Sequence, residues 1–138
     1  MRRILVTGSR TWVDTEQIND TFLGLAEYWP SLDHWVVVHG AAGGVDTMAR
    51  DWAIEHAVEH EPHPATWRVD GVYRPSAGFD RNLEMVEAGA DICIAWIDVC
   101  HKAECARQRH HGSHGAVHCA TAALRSGIPV WWIRRGWS

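Results

Sequence analysis

The sequence lacks the features that mark several large classes of protein. It has no basic surplus, because 13 Lys and Arg residues stand against 17 Asp and Glu, which gives a formal net charge of −4. Binding to duplex nucleic acid usually needs a basic surface, so duplex nucleic acid is not an expected partner. No apolar run approaches the ~18 residues of a membrane span, and the one near the N-terminus, Ile4–Val6, is too short for a secretory signal. We therefore expect a cytoplasmic protein with no membrane partner.

Two common phosphate-binding motifs are missing as well. No segment matches GxxxxGK[ST], which argues against a nucleoside triphosphatase. No GxGxxG motif with the usual strand and acidic spacing is present, so a dinucleotide-dependent oxidoreductase has no support and no organic cofactor is expected. The chain also has no internal repeat and no low-complexity tract. Its 138 residues, 46% of them hydrophobic, predict one folded domain over residues 1–138.

What the sequence does contain is an alternation of short apolar runs with amphipathic segments. Strands are predicted at residues 4–8, 34–40, 63–68, 91–97 and 128–134, and helices at residues 14–29, 44–60, 80–90 and 116–127. This alternation predicts an α/β, Rossmann-like three-layer sandwich around a mainly parallel five-stranded sheet. We expect the strand order 3-2-1-4-5, with the last strand at an edge because it contains a proline. Ligands of such sheets bind at the carboxyl ends of the strands, where the order reverses.

Three glycine-containing segments are expected at that edge of the sheet. They are TGSR (7–10), HGAAGGVD (39–46) and HGSHGA (111–116), and the last two precede predicted helices. Glycine lets backbone amides approach an anion, and a helix N-terminus adds a partial positive charge. Each segment alone is equally well explained as a simple chain reversal. Together they predict a phosphate site, to which Arg10 would add a bidentate contact.

A fourth element is the helix start in AGFDRNLEM (77–85). Arg81 is a candidate phosphate ligand there, and Asn82 could bond a sugar hydroxyl or a base edge. The alternative is the ordinary polarity of a helix start. Trp12 and Trp96, two of the nine tryptophans, also fall near strand ends where ligands bind.

These motifs together resemble one family. RILVTGSRTW, VVVHGAAGGVDTMARDWA, PATWRVDG, AGFDRNLEMVEAGADICIAW and GSHGAVHCATAALRSGIPV look like the YspA-type, cpYpsA-related branch of the SLOG superfamily, from residue 2 to about residue 133. The resemblance implies a Rossmann-like fold and a nucleotide or nucleotide-derived ligand. The ligand loops that it implies consist of Gly8, Ser9 and Arg10; Gly40, Gly43 and Asp46; Arg81 and Asn82; and Gly112, Ser113, Gly115 and Ala116. It also implies a homodimer.

Catalysis is left open by the sequence. Relatives that are phosphoribohydrolases carry GGxGTxxE in the last loop, whereas this chain has Ala116 in place of the threonine and Cys119 where the glutamate would stand. Asp46 and Arg81 are the remaining catalytic candidates, although Asp46 is also explained as a helix cap. The resemblance favours a nucleotide-binding sensor or binding module. The alternatives are an N-glycosidase acting on nucleoside monophosphates and a single-stranded DNA binder whose tryptophans stack on bases.

A cluster of histidines and cysteines lies in and after a loop at about residues 98–112. Its members Cys100, Cys105, His110, His111 and His114 could supply the four ligands of a structural zinc ion. The Cys100–Cys105 spacing is wider than that of a standard zinc knuckle. The alternative is a solvated histidine-rich loop, with Cys119 packed inside the helix that follows.

Overall fold

The structure is a computed structural model that describes residues 1–98 and 114–135. The elements are β1 (Arg2–Gly8), α1 (Thr15–Tyr28), β2 (Trp35–His39), α2 (Val45–Glu55), β3 (Glu59–Pro62), β4 (Arg68–Val69), β5 (Val72–Tyr73), α3 (Ala77–Ala88), β6 (Ile92–Asp98), α4 (His114–Arg125) and β7 (Val130–Arg135). A short 3₁₀ turn, Leu32–His34, precedes β2. In these two ranges, no helix is long and apolar enough to cross a membrane.

Five of the strands form one parallel sheet. The order is β3-β2-β1-β6-β7, and every neighbouring pair runs parallel. Because β4 and β5 form a separate hairpin, this order is the predicted 3-2-1-4-5, and the prediction is confirmed. The order reverses at β1, which pairs with β2 on one side and with β6 on the other. The last strand lies at an edge, as its proline predicted.

Successive side chains of β1 point to opposite faces of the sheet. Ile4 and Val6 belong to the core beneath α1 and α2, while Leu5 belongs to the core beneath α3 and α4. The first core is aromatic, since Phe22 stacks on Trp52 with ring centroids 4.4 Å apart. The helices therefore cover both faces of the sheet in pairs, and the three-layer sandwich is confirmed.

Helix α2 and the third strand of the sheet differ most from the sequence prediction, while the other predicted elements are shifted by a few residues. Helix α2 ends at Glu55, because Ala57 has a φ of 54° and the Val58 amide donates to the Ala53 carbonyl at 2.8 Å, which closes the helix. The third strand of the sheet is consequently Glu59–Pro62 rather than residues 63–68. It is polar because it lies at an edge, where one side of the strand faces no neighbour.

The small β4–β5 hairpin was not predicted, although its turn carries a clear signal. Asp70 and Gly71 form the turn with φ values of 51° and 79°. Two successive residues with positive φ are typical of a type I′ turn, for which Asp-Gly is a favoured pair. The hairpin places Trp67 at its base, beside the site described below.

Candidate functional site

A pocket of about 450 Å³ opens at the carboxyl end of β1. Its walls come from the loop after β1, the loop before α2, the hairpin region, α3 and the first turn of α4. The lining residues are Thr7, Gly8, Ser9, Arg10, Thr11, Ala42, Asp46, Trp67, Pro75, Gly78, Phe79, Arg81, Asn82, Met85, His114, Gly115 and Ala116. The pocket thus lies where the order of the sheet reverses, which is the usual ligand position in open α/β sheets.

Most of the predicted ligand residues meet in this pocket. The predicted residues that line it are Gly8, Ser9, Arg10, Asp46, Arg81, Asn82, Gly115 and Ala116, which include both catalytic candidates. Gly40 and Gly43 do not line it, although Ala42 of the same loop does. Gly112 and Ser113 lie outside the described residues.

Arg81 connects three elements around the pocket. Its Nη1 donates to the carbonyl of Gly40 and, at 3.4 Å, to the carbonyl of His63, while its Nε donates to Asn82 Oδ1 at 3.0 Å. A Cβ atom on Gly40 would lie 2.6 Å from the guanidinium carbon of Arg81. Gly40 therefore contributes by leaving room for Arg81. The guanidinium is held in place before any ligand arrives, and its Nη2 forms no hydrogen bond within the described part of the chain.

Asn82 joins α3 to α4 through both polar atoms of its side chain. Its side chain is 3% exposed. Its Oδ1 accepts from Arg81, and its Nδ2 donates to the Gly115 carbonyl at 3.1 Å and to His118 Nδ1 at 3.2 Å. The sequence suggested a bond from Asn82 to a ligand hydroxyl or base edge. In the structure, its amide instead fixes the position of Arg81 and of the first turn of α4.

Asp46 is a buried carboxyl in the wall of the pocket. It is not a cap of α2, because its Oδ2 accepts from the amides of Gly40, at 3.1 Å, and Ala42, at 3.2 Å, in the preceding loop. Burial raises the pKa of Asp46, while these two amides, Arg81 and Arg10 act in the opposite direction. The prediction that Asp46 caps α2 is therefore wrong, because its carboxylate accepts from amides of the preceding loop and not from amides of its own helix.

The loop after β1 is tied to the end of β6 and presents a free cation. The amide of Asp98 donates to Ser9 Oγ at 2.8 Å, and Thr11 Oγ1 donates to Asp98 Oδ2 at 2.7 Å. Arg10 lies between these two anchors, lines the pocket and is exposed. Its guanidinium forms no hydrogen bond or ion pair with any residue in the two described ranges. An anchored loop with an unpaired guanidinium is well suited to binding an anion.

The first turn of α4 faces the same pocket. His114, Gly115 and Ala116 begin the helix, and all three line the cavity. The first amides of a helix have no partner within it and carry a partial positive charge. This helix end therefore adds to the positive potential that Arg10 and Arg81 create.

Gly44 is the glycine that the second loop requires. It has a φ of 70° and a ψ of −124°, and an added Cβ would lie 2.6 Å from Arg10 Cα. The amide of the next residue, Val45, donates to the Ser9 carbonyl at 3.4 Å. The first two loops thus cross in direct backbone contact at Gly44. Gly43, the residue that the resemblance implied, has nothing within 4 Å of an added Cβ.

We expect the Gly44→Ala substitution to lower the free energy of unfolding by about 2 kcal/mol, because it adds both backbone strain and a backbone clash. Gly43→Ala is the matched control and should leave stability nearly unchanged. Urea denaturation of the two variants measures the difference. Equal stabilities would show that the loops do not cross as described.

Two aromatic side chains line the outer part of the pocket. Trp67 is 37% exposed and Phe79 is 45% exposed. Neither residue has a local signal, since an aromatic residue at a pocket has the same sequence appearance as one in the core. Trp12 and Trp96, which were placed near the ligand, are 2% and 0% exposed and belong to the aromatic core. The tryptophan at the pocket is therefore Trp67.

Comparison with known proteins shows to which family the chain belongs. A profile of the YspA, cpYpsA-related SLOG family matches residues 2–69. The gene 61 protein of Mycobacterium phage D29 is 39% identical over 135 residues, which is 94% of each chain. The chain belongs to the YspA, cpYpsA-related SLOG family.

The SLOG chain also resembles a solved structure. The X-ray structure of DNA processing protein A from Streptococcus pneumoniae superposes with a TM-score of 0.68 at 18% identity and covers 96% of this chain. The present chain spans about half the length of that protein, 50% of it. Family membership indicates, at a coarse level, a nucleotide-related binding module, and the likeness to the solved structure shows the fold.

In this SLOG protein, Cys119 stands where phosphoribohydrolase relatives carry a glutamate, and its thiol is inert. Cys119 is fully buried in α4 and does not line the pocket. Burial raises the pKa of Cys119 to about 11, so the thiol keeps its proton at neutral pH. Among the described lining residues, Asp46 is the one with a carboxyl group.

Most of the candidate zinc ligands of the SLOG protein lie outside its described residues. Cys100, Cys105, His110 and His111 belong to residues 99–113, which the structure does not describe. His114 is described and begins α4 at the pocket. Within residues 1–98 and 114–135, no group of three or more potential ligands could hold a metal ion.

Proposed function

We propose that the chain binds a nucleotide or a nucleotide-derived phosphorylated molecule in this pocket and acts as a sensor or binding module. The observation that carries the proposal is the convergence of Arg10, Arg81 and the N-terminus of α4 on one cavity. Two guanidinium groups and a helix end together favour a phosphate, which accepts paired hydrogen bonds. A cavity of about 450 Å³ is also of ordinary size for a small-molecule ligand.

Electrostatic balance supports an anionic ligand. Asp46 is the one acidic residue among the described lining residues, and it stands against the two guanidinium groups of Arg10 and Arg81. Among the described residues, Arg10 has no hydrogen bond that must break before its guanidinium binds. Arg81 is fixed by Gly40 and Asn82, so little side-chain entropy is lost when it binds.

Arg10→Ala tests the proposal directly. Arg10 forms no hydrogen bond or ion pair with the described residues and interacts with Asp46 only through its charge, so we expect little change in the melting temperature. A bond between charged groups contributes about 1.5–3 kcal/mol, so the affinity for AMP should fall at least ~10-fold. Isothermal titration calorimetry measures the affinity, and thermal denaturation measures the stability.

Arg50→Ala is the matched control for this prediction. Arg50 is an exposed arginine on α2 that pairs with the adjacent Asp51 and does not line the pocket. Its loss should not alter the affinity for AMP. If Arg10→Ala and Arg50→Ala bind AMP equally, or if no phosphorylated nucleoside binds the parent protein, the proposal fails.

A second candidate function is hydrolysis of the N-glycosidic bond of a nucleoside monophosphate. The buried carboxyl of Asp46 in the pocket wall favours it, because such a carboxyl can give its proton to the leaving base and then take a proton from the water that adds at C1′ of the sugar. The products would be the free base and ribose 5-phosphate. Chromatography of AMP incubated with the protein tests this reaction. Base release that stops in Asp46→Asn would support it, and no release from a broad panel of nucleotides would exclude it.

DNA is the other ligand to test, since the solved relative is named for DNA processing. Trp67 and Tyr73 are exposed beside Arg68 and Arg74, a combination that could stack bases and attract a strand. The net charge of −4 acts against this function. Titration of a fluorescent oligothymidine should show no binding if the ligand is a mononucleotide.

A further inference from the structure

We infer that the aromatic wall, formed by Trp67 and Phe79, binds the base of the ligand by stacking and does not read the edge of the base. This inference rests on the proposed function, which places a phosphate at the cationic end of the same pocket. It goes further by naming the ligand class: nucleotides carrying any large base, with purines preferred to pyrimidines.

The aromatic wall is supported from behind. The ring of Phe79 stacks on His118 with centroids 4.2 Å apart and an interplanar angle of 19°. Trp67 stacks less closely on Tyr73, at 6.1 Å and 13°, and its Cη2 would lie 3.3 Å from a Cβ on Gly78. Each ring is thus fixed by a partner, yet each keeps more than a third of its surface exposed. Rigid, part-exposed rings that line a pocket are suited to stacking with a planar ligand.

The cationic and aromatic parts of the pocket are adjacent along α3. An added Cβ on Gly78 would lie 3.3 Å from Cη2 of Trp67 and 3.9 Å from Nη2 of Arg81, so the aromatic ring and the guanidinium meet at Gly78. A phosphate bound by Arg81 therefore leaves the rest of the ligand next to the aromatic wall. Apolar contact at one end and an anion at the other is the chemistry of a nucleotide, whereas a sugar phosphate would leave the rings exposed.

In the described part of the chain, the lining residues at the aromatic wall are Trp67, Pro75, Gly78, Phe79 and Met85. The one hydrogen-bonding side-chain group among them is the indole N–H of Trp67, which gives little means of distinguishing one base from another. Asn82, the nearest amide side chain, is already bonded to Arg81, Gly115 and His118. Stacking without edge contacts tolerates every base and favours the larger rings. AMP and GMP should therefore bind alike.

Calorimetric titration with five probes tests the inference. AMP and GMP should have affinities within about 3-fold of each other, UMP should bind more weakly, and ribose 5-phosphate should bind at least ~10-fold more weakly than AMP. Adenosine and AMP then separate the contribution of the phosphate from that of the base. Ribose 5-phosphate binding as tightly as AMP would overturn the inference, and so would a large preference between AMP and GMP.

Matched variants locate the effect on the aromatic wall. Phe79 and Leu83 lie one turn apart on α3 and are both 45% exposed, but Leu83 does not line the pocket. Phe79→Ala should lower the affinity for AMP about 10-fold, and Leu83→Ala should leave that affinity unchanged. Trp67→Ala should behave like Phe79→Ala, with Trp67→Phe restoring most of the affinity. In all four variants the affinity for ribose 5-phosphate should stay at the parental value.

The outcomes separate this inference from the proposed function. If ribose 5-phosphate and AMP bind equally and Arg10→Ala weakens both, the phosphate site stands and the base site is overturned. If adenosine binds as tightly as AMP and Phe79→Ala weakens both, the base site stands and the phosphate site is overturned. If none of the five probes binds, both are overturned.

Discussion

Replacing Arg81 with methionine should weaken AMP binding more than ~100-fold, which corresponds to about 3 kcal/mol. Two losses combine in this variant. The ligand loses a fixed guanidinium, and the carbonyl of Gly40 and the Oδ1 of Asn82 lose their donor, so the loop before α2 is no longer joined to α3. The effect should therefore exceed that of Arg10→Ala, which removes a cation but breaks no internal bond.

The salt dependence of binding separates the two contributions of Arg81. If its charge contacts the phosphate, the affinity for AMP in the parent protein should fall as sodium chloride rises, and the fall should be shallower in Arg81→Met. Arg81→Lys keeps the charge but not the planar fork, so it should restore the salt dependence while recovering only part of the affinity. An Arg81→Met protein with parental affinity and parental salt dependence would contradict the role given to this residue.

Lowering the pH from 7 to 4 should cost the protein about 3 kcal/mol of unfolding free energy through His39 alone. His39 is 1% exposed, and burial lowers its pKa from 6.5 to about 4, with nearby His60 adding to the effect. Its Nδ1 accepts from the Ala41 amide at 3.1 Å, and its Nε2 bonds His60 Nδ1 at 3.0 Å. A proton on Nδ1 would displace the Ala41 amide and disturb the loop whose amides bond Asp46.

The sign of the effect follows from the two pKa values. Between pH 6.5 and about 4 the unfolded chain takes up a proton on this histidine and the folded chain does not, so stability falls with pH across that window and levels off below it. Asp46, whose pKa is raised, contributes in the opposite direction, and His118, whose pKa is lowered by burial, contributes in the same direction. The contribution of His39 is therefore the difference between the parent and His39→Gln.

Urea denaturation at several pH values measures that difference. His39→Gln should be less stable than the parent at pH 7 and should show a much shallower loss of stability towards pH 4. His34→Gln replaces an exposed histidine and serves as the control, with the parental slope expected. A His39→Gln slope equal to that of the parent would show that His39 takes up its proton over the same pH range in the folded protein as in the unfolded chain.

The sheet and the edge at which the pocket opens were predictable because their signals are local. Residues 35–38 are apolar at consecutive positions, which marks a strand that is buried on both faces. The glycine segment after β1 indicated the edge at which the pocket opens. The third strand was predicted at the wrong residues because it lacks a local signal of this kind. Glu59–Pro62 has no apolar pattern, and only its pairing with β2 makes it a strand.

The parts of the site that could not be predicted depend on contacts between distant elements. Nothing in the sequence joins Arg81 to Gly40, since they are 41 residues apart and meet only when α3 packs beside the second loop. Trp67 could not be distinguished from Trp12 or Trp96 by residue type. The Asp-Gly pair at residues 70–71 is the one local signal that could have placed Trp67 next to a hairpin, and from there next to α3.

The crossing of the first two loops at Gly44 has an evolutionary consequence. Gly8 is equally constrained, because an added Cβ would lie 2.5 Å from Val45 Cβ and 2.7 Å from the Trp96 carbonyl oxygen. A side chain at either glycine would push one turn away from the other. The two turns should accordingly be inherited as a pair, so that homologues which lose one glycine also change length or composition in the opposite turn.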